Sequence, residues 1–155
     1  MKRRTFIKKT ALGTAGVSAG LTALSAKSYG RILGANDRVN VAVIGLRGRG
    51  KSHMDAFSSM YDKGVFVKTV CDVDTQFHDA SILMVAEKQN GDKPNAVQDM
   101  RKIFEDPEID VVAMATPNHW HALGSIWACQ AGKHVYVEKP SSHNIWEGRK
   151  MVDAA

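Results

Sequence analysis

The chain has 155 residues, a formal net charge of +5 and 44% hydrophobic residues, which is enough for one core of modest size. The positive charge is concentrated at one end. Residues 1–38 hold eight Lys or Arg and one acid, a balance of +7, so the rest of the chain carries 5 − 7 = −2. A folded part without excess positive charge is not expected to bind nucleic acid.

The first 28 residues are predicted to be an export signal. Residues 1–9 contain five positive charges and no negative one, and residues 10–26 contain no charge at all. A basic start, an apolar middle and small residues at the end are typical of such signals. The pair Arg3-Arg4, followed by Thr-Phe-Ile-Lys, resembles the twin-arginine motif, which predicts a periplasmic protein delivered by the export machinery. The alternatives are an uncleaved N-terminal anchor and a basic tail.

Residues 29–38 are predicted to be a linker, and residues 39–155 a single domain. Short apolar runs, as expected of buried parallel strands, predict strands at Val39–Ile44, Val65–Cys71, 111–115 and His134–Val137, with a weaker one at Asn95–Val97. Helical spacing is found between them, at 54–61, 75–89, 99–104, 120–127 and from about Asn144 onward. This alternation predicts an α/β fold with a doubly wound parallel sheet. The last helical pattern has no terminating residue, so the domain is expected to be truncated at its C-terminus.

The first predicted strand leads directly into a glycine-rich turn, Gly45-Leu46-Arg47-Gly48-Arg49-Gly50. In dinucleotide-binding βαβ units such a turn brings backbone N–H groups to the pyrophosphate. All six residues are therefore candidate cofactor ligands. Arg47 occupies the position of the middle glycine, so we expect Arg47 or Arg49 to lie over the pyrophosphate or beside the adenosine ribose. The alternative is a surface turn with solvated arginines.

A carboxylate follows the second strand at the spacing that ribose binding requires. Asp72 lies 72 − 50 = 22 residues after the last glycine of the turn. Such a carboxylate accepts hydrogen bonds from the ribose hydroxyls and repels a 2′-phosphate, which favours NAD, with NADP still possible. Asp74 is expected to cap the helix that follows.

The segment after the strand at 111–115 is Thr116-Pro117-Asn118-His119-Trp120-His121. We expect Thr116, Pro117, Asn118 and His119 to border the cofactor cleft, because ligands of open parallel sheets bind beyond the carboxyl ends of the strands. His-x-His without a third ligand nearby does not favour a metal site. Two cysteines are too few for a disulfide framework and match no zinc pattern, so no metal is expected.

The last predicted strand ends at Glu138-Lys139-Pro140. A lysine at this edge of the sheet can assist proton loss from a substrate hydroxyl, so Lys139 is the candidate catalytic residue. Glu138 is expected to hold the Lys139 ammonium in place, and both are expected to border the cofactor site. The alternative is a solvated strand end.

Together, Val-Ile-Gly with its glycine turn, Cys-Asp-Val-Asp, Ala-Thr-Pro-Asn-His-Trp-His and Val-Glu-Lys-Pro resemble motifs of the Gfo/Idh/MocA family of sugar and polyol oxidoreductases. The resemblance begins at about residue 39. It implies a Rossmann domain followed by a C-terminal α/β domain that forms the substrate pocket and the contacts of a homo-oligomer. It also implies that Lys139 is catalytic, that Asp72 binds ribose, and that Thr116, Asn118 and His119 contact the ligand.

The implied activity is hydride transfer between NAD(P) and a hydroxyl or ketone of a sugar, polyol or glycoside. The family's catalytic histidine lies in the C-terminal domain, so this chain alone is expected to catalyse nothing. Some relatives are glycosidases that oxidise the sugar transiently and eliminate the aglycone. They tend to carry Glu-Val-Pro where this chain has Glu-Lys-Pro, so Lys139 favours the dehydrogenase. A dinucleotide-binding module without catalysis is the third alternative.

Overall fold

The computed structural model describes residues 38–155. The predicted export signal and all but the last residue of the predicted linker lie outside the described residues. Within residues 38–155, no helix has both the length and the apolar character that crossing a membrane requires.

Five parallel strands form the sheet: β1 (Val39–Ile44), β2 (Val65–Cys71), β3 (Asn95–Val97), β4 (Val111–Met114) and β5 (His134–Val137). Their order across the sheet is β3-β2-β1-β4-β5, and every neighbouring pair is parallel. The chain therefore moves outward from β1 in one direction and then returns to start again on the other side with β4. The predicted α/β fold with a doubly wound parallel sheet is confirmed. This includes the strand at Asn95–Val97, for which the sequence pattern was weak.

Within residues 38–155, four α-helices connect the strands, α1 (Arg49–Ser58), α2 (His78–Lys88), α3 (Arg101–Glu105) and α4 (His121–Gln130), and α5 (Ile145–Ala154) follows β5. The helical pattern predicted through Tyr61 stops earlier, because α1 ends at Ser58 and Tyr61 begins a short 3₁₀ turn. Asn144 caps the N-terminus of α5, close to the predicted start, since its side chain accepts a hydrogen bond from the Glu147 N–H.

The core lies on both faces of the sheet because side chains alternate along β1. Val41 and Val43 pack with Met54 of α1 and Val85 of α2 on one face. On the opposite face, the cluster contains Ala42 and Ile44 of β1, Ile103 of α3 and Ala128 of α4. Strands covered on both faces are nearly all apolar, as the sequence indicated. This arrangement leaves the carboxyl ends of the strands as the edge at which polar loops meet.

Candidate cofactor and active site

A cleft of about 640 Å³ opens at the carboxyl edge of the sheet, beside the point where the strand order reverses between β1 and β4. This volume is in the range of small-molecule and cofactor sites, and the position is where ligands bind in open α/β sheets. Ten of the predicted site residues line the cleft: Gly45, Arg47, Gly48, Arg49, Asp72, Thr116, Pro117, Asn118, Glu138 and Lys139. The fold thus brings four loops, distant in sequence, to one cavity.

The glycine turn is packed too closely for side chains at two positions. Gly45 has a φ of +87°, and a Cβ placed on it would lie 2.6 Å from the carbonyl oxygen of Ala115. A Cβ on Gly50 would lie 1.7 Å from the carbonyl oxygen of Gly45. The two glycines therefore allow α1 to begin directly against the end of β1, which leaves the backbone of the turn accessible to a phosphate group. This cradle fits a dinucleotide.

Asp72 fixes the base of that turn. Its Oδ2 accepts a hydrogen bond from the Leu46 N–H at 2.9 Å, and its Oδ1 accepts one from the Asp74 N–H at 3.0 Å. Each oxygen keeps a further lone pair for a ligand hydroxyl. Asp74 accepts from the Gln76 N–H and caps a 3₁₀ turn at Thr75–Phe77, which confirms its predicted capping role.

Three predicted contacts lie outside the cleft lining. The Leu46 side chain is 2% exposed and belongs to the core, and its N–H is already bonded to Asp72. Gly50 is buried beneath the turn, where it permits the packing rather than lining the cavity. His119 is exposed, and its ring lies 6.1 Å from that of Trp120.

Glu138 does not hold the Lys139 ammonium, and that expectation is wrong. Its Oε1 instead accepts a hydrogen bond from Nε of Arg49 at 3.1 Å, and Nε2 of His53 lies 2.9 Å from the same oxygen. Removal from solvent raises the pKa of the Glu138 carboxyl, but the hydrogen bond and charge of Arg49 outweigh it, so this pKa lies below its usual value. Arg49, a residue of the glycine turn, is thereby tied to the end of β5.

Lys139 is exposed and borders the cleft, as predicted for a catalytic residue. Thr116 also borders the cleft, and its hydroxyl is buried and has no hydrogen-bond partner within residues 38–155. Asn118 is held from the other side, where its Oδ1 lies 2.9 Å from Nδ1 of His143. The cleft therefore places Lys139 and the polar loop that contains Thr116 and Asn118 beside the dinucleotide cradle.

Two histidines with roles at the site were not predicted from sequence. His53 is 7% exposed and lies against Glu138, and His121 is 2% exposed and lines the cleft. His53 gave no sequence signal beyond its place one turn into α1. His121 belongs to the His-x-His pair that was considered for a metal. Within residues 38–155, no three His, Cys, Asp or Glu side chains are grouped closely enough to hold a metal ion.

Arg47 is expected to contribute to NADH binding. Its guanidinium lies over the Phe77 ring, with Cζ 4.7 Å from the ring centre, at the side of the cleft near Asp72. Replacing Arg47 with Ala is expected to weaken NADH binding by about 3- to 10-fold, the loss of about 1 kcal/mol from a charge beside the phosphates or ribose. Fluorescence titration with NADH measures the effect, with the exposed Arg149→Ala on α5 as the matched control. Equal affinities for both variants would assign Arg47 to the solvated surface.

Taken together, the doubly wound sheet, the close-packed glycine turn and the carboxylate after β2 define a NAD-binding Rossmann domain. The family model for "Oxidoreductase family, NAD-binding Rossmann fold", GFO_IDH_MocA, matches residues 39–155. The chain belongs to the Gfo/Idh/MocA oxidoreductase family, as the motifs predicted, and its cofactor is NAD.

Curated and solved relatives agree with this assignment. A glycosyl hydrolase family 109 protein of Shewanella pealeana is 31% identical over 100% of this chain and 37% of its own length. The structure of a levoglucosan dehydrogenase in complex with NADH is 32% identical, with a TM-score of 0.66 over 76% of this chain and 32% of that one. An NAD-binding oxidoreductase from Klebsiella pneumoniae is also 32% identical, with a TM-score of 0.64 over 76% and 31% of the two chains. The chain thus spans about a third of the length of these relatives.

Proposed function

We propose that this chain is the cofactor-binding part of an NAD-dependent enzyme that oxidises a hydroxyl, or reduces the matching ketone, of a sugar, polyol or glycoside. The observation that carries the proposal is the exposed Lys139 in the same cleft as the glycine turn and Asp72. The similarity to a levoglucosan dehydrogenase supports a carbohydrate substrate.

In the proposed reaction, different residues of the cleft bind the cofactor and the substrate. Backbone N–H groups of the glycine turn and the start of α1 would face the pyrophosphate, and Asp72 would accept from the ribose hydroxyls. Bound NAD supplies the hydride acceptor. Lys139 would hydrogen-bond the substrate hydroxyl and assist its loss of a proton as the carbon loses hydride. Thr116 and Asn118 border the same space and would orient the ligand through their polar groups.

The direct test is an assay of the full-length protein against a panel of sugars, anhydrosugars and polyols with NAD and with NADP. We expect NADH to form with at least one of them, and NAD to be preferred because the Asp72 carboxylate repels a 2′-phosphate. Tight NADH binding without turnover on the whole panel would instead support a dinucleotide-binding module that has no catalytic activity.

An NAD-dependent glycosidase is the second candidate, because the curated relative quoted above is named a glycosyl hydrolase family 109 protein. In that reaction the sugar is oxidised, the aglycone is eliminated, water adds to the resulting double bond and the sugar is reduced again, so no net NADH accumulates. Release of p-nitrophenol from p-nitrophenyl glycosides without net NADH formation would favour this candidate. Net NADH formation from a free sugar would favour the dehydrogenase.

Export to the periplasm through the twin-arginine pathway is proposed on the basis of Arg3-Arg4 and the uncharged stretch at residues 10–26. Twin-arginine cargo folds before transport, which would allow the protein to leave the cytoplasm with its dinucleotide bound. Cell fractionation after replacing Arg3-Arg4 with Lys-Lys tests this proposal, and a protein that is equally periplasmic without the two arginines would contradict it.

Association into a homo-oligomer is proposed on family resemblance alone, and light scattering of the full-length protein measures it.

A further inference from the structure

His121, the first residue of α4, lies between the two loops that carry the proposed chemistry. Its Nδ1 is 2.7 Å from the carbonyl oxygen of Pro140, and its Nε2 is 2.8 Å from the carbonyl oxygen of Thr116. We propose that His121 is a positioning residue that joins the loop after β4 to the loop after β5 and so holds Lys139 at the cleft. This inference rests on the proposed function, in which Lys139 is catalytic.

The contacts on either side of Lys139 explain why this link matters. Before it, Glu138 is 8% exposed and anchored twice, by its N–H bond to the Met114 carbonyl and by its carboxylate contacts with Arg49 and His53. After it, Pro140 has no N–H to donate, so its carbonyl oxygen is the polar backbone group that can anchor this position. His121 approaches that oxygen. The Lys139 backbone is thus held on both sides while its side chain remains exposed.

The chemistry of imidazole suits a link between two acceptors. A carbonyl oxygen only accepts, and a ring nitrogen donates only when it carries hydrogen. A neutral ring has one such nitrogen, whereas the imidazolium has two, so both contacts are hydrogen bonds in the doubly protonated form. At 2% exposure the ring is shielded from water, so the two carbonyl groups take the place of solvent as its partners.

A purely structural histidine would contribute to stability without affecting Lys139 in particular. Amide and aromatic replacements separate these roles. The amide nitrogen of Asn stands near the position of Nδ1 and that of Gln near the position of Nε2. His121→Asn is therefore expected to keep the contact with Pro140, His121→Gln the contact with Thr116, and His121→Phe neither.

The first measurement reports the link itself and does not depend on activity. Hydrogen exchange of the full-length protein, followed by mass spectrometry, should show faster exchange in peptides covering 138–144 for His121→Phe and His121→Gln. Peptides covering β1 should be unchanged, and thermal unfolding confirms that each variant is folded. The control is His134→Asn, an exposed histidine on β5 that lies outside the cofactor cleft. Unchanged exchange at 138–144 in all three His121 variants would overturn the link.

The second measurement is a double-mutant cycle with Lys139→Met on kcat/KM. His121→Phe is expected to lower kcat/KM about 10- to 100-fold in the wild-type background, since small displacements of a catalytic group have effects of this size. The loss for His121→Asn should be smaller than for His121→Gln. In the Lys139→Met background His121→Phe should cost less than about 3-fold, because residues that act as a unit are not additive. Equal losses in both backgrounds would overturn the positioning role.

The two measurements separate this inference from the proposed function. If the wild-type protein turns over no sugar, the proposed function fails, and with it the catalytic part of this inference. The exchange experiment still decides whether His121 joins the loops. If turnover is normal and His121→Phe leaves kcat/KM unchanged, the positioning role fails while the proposed function stands.

Discussion

Replacing Lys139 with Met is expected to lower kcat of the full-length protein by about 10²- to 10⁴-fold, the range that a general acid–base group contributes. Met keeps much of the length of the lysine side chain but has no Nζ to hydrogen-bond the substrate hydroxyl and assist its loss of a proton. NADH affinity should change by less than about 3-fold, because the glycine turn and Asp72 are on other loops. Steady-state kinetics and NADH titration on the same preparation separate the two effects.

Lys93→Met is the matched control, because Lys93 is exposed and precedes β3, at the opposite edge of the sheet from the cleft. Its kinetics should match those of the wild type. If kcat of Lys139→Met equals that of the wild type, Lys139 does not take part in proton transfer and is not the catalytic residue of this site. A rise in KM at unchanged kcat would reduce Lys139 to a residue that only binds substrate.

Replacing Gly50 with Ala is expected to weaken NADH binding by more than about 100-fold, because displacing the backbone of the turn removes its aligned N–H groups from the phosphates together. The added Cβ would lie 1.7 Å from the Gly45 carbonyl oxygen, and the displaced atom is backbone rather than the end of a flexible side chain. Either the turn or the start of α1 must move. Overpacking of this kind also lowers the free energy of unfolding, by about 1–3 kcal/mol.

The control is Gly148→Ala in α5, where a Cβ would lie 3.2 Å from the Ser142 hydroxyl oxygen and 3.9 Å from the Ser142 Cβ. The hydroxyl oxygen belongs to a short side chain that can rotate, and alanine favours the helix, so this variant should bind NADH normally and unfold at the same or a higher urea concentration. Titration calorimetry and urea unfolding of both variants measure the two effects. Wild-type NADH affinity in Gly50→Ala would show that the close turn is not required for the cofactor.

Most of the fold could be predicted from the sequence because each strand is a short apolar run. Such a run can be recognised from its own residues, without knowledge of what packs against it. The bounds of β1, β2, β3 and β5 are as predicted, and β4 is one residue shorter than the predicted 111–115. Helix ends were less accurate. Tyr61 continues the apolar spacing of α1 but lies in a 3₁₀ turn, since hydrophobic periodicity does not record where the backbone leaves the helix.

Contacts within the site were predicted less well. Ten predicted residues line the cleft because parallel strands bring their carboxyl ends to one edge, which is a consequence of topology alone. The partner of Glu138 was predicted wrongly because Lys139 is its neighbour in sequence. Both residues border the cleft, but the Glu138 side chain is buried against Arg49 and His53 whereas Lys139 is exposed.

By itself the sequence determined the class of fold, the dinucleotide cradle and the position of Lys139 at the cleft, because these depend on local patterns and on the order of strands and turns. The tertiary structure alone decided which side chains meet. It placed Leu46 in the core, paired Glu138 with Arg49 across 89 residues and set His121 between two carbonyl groups. The physical reason is that a buried polar group must find a partner in space, and spacing along the chain does not specify which partner it finds.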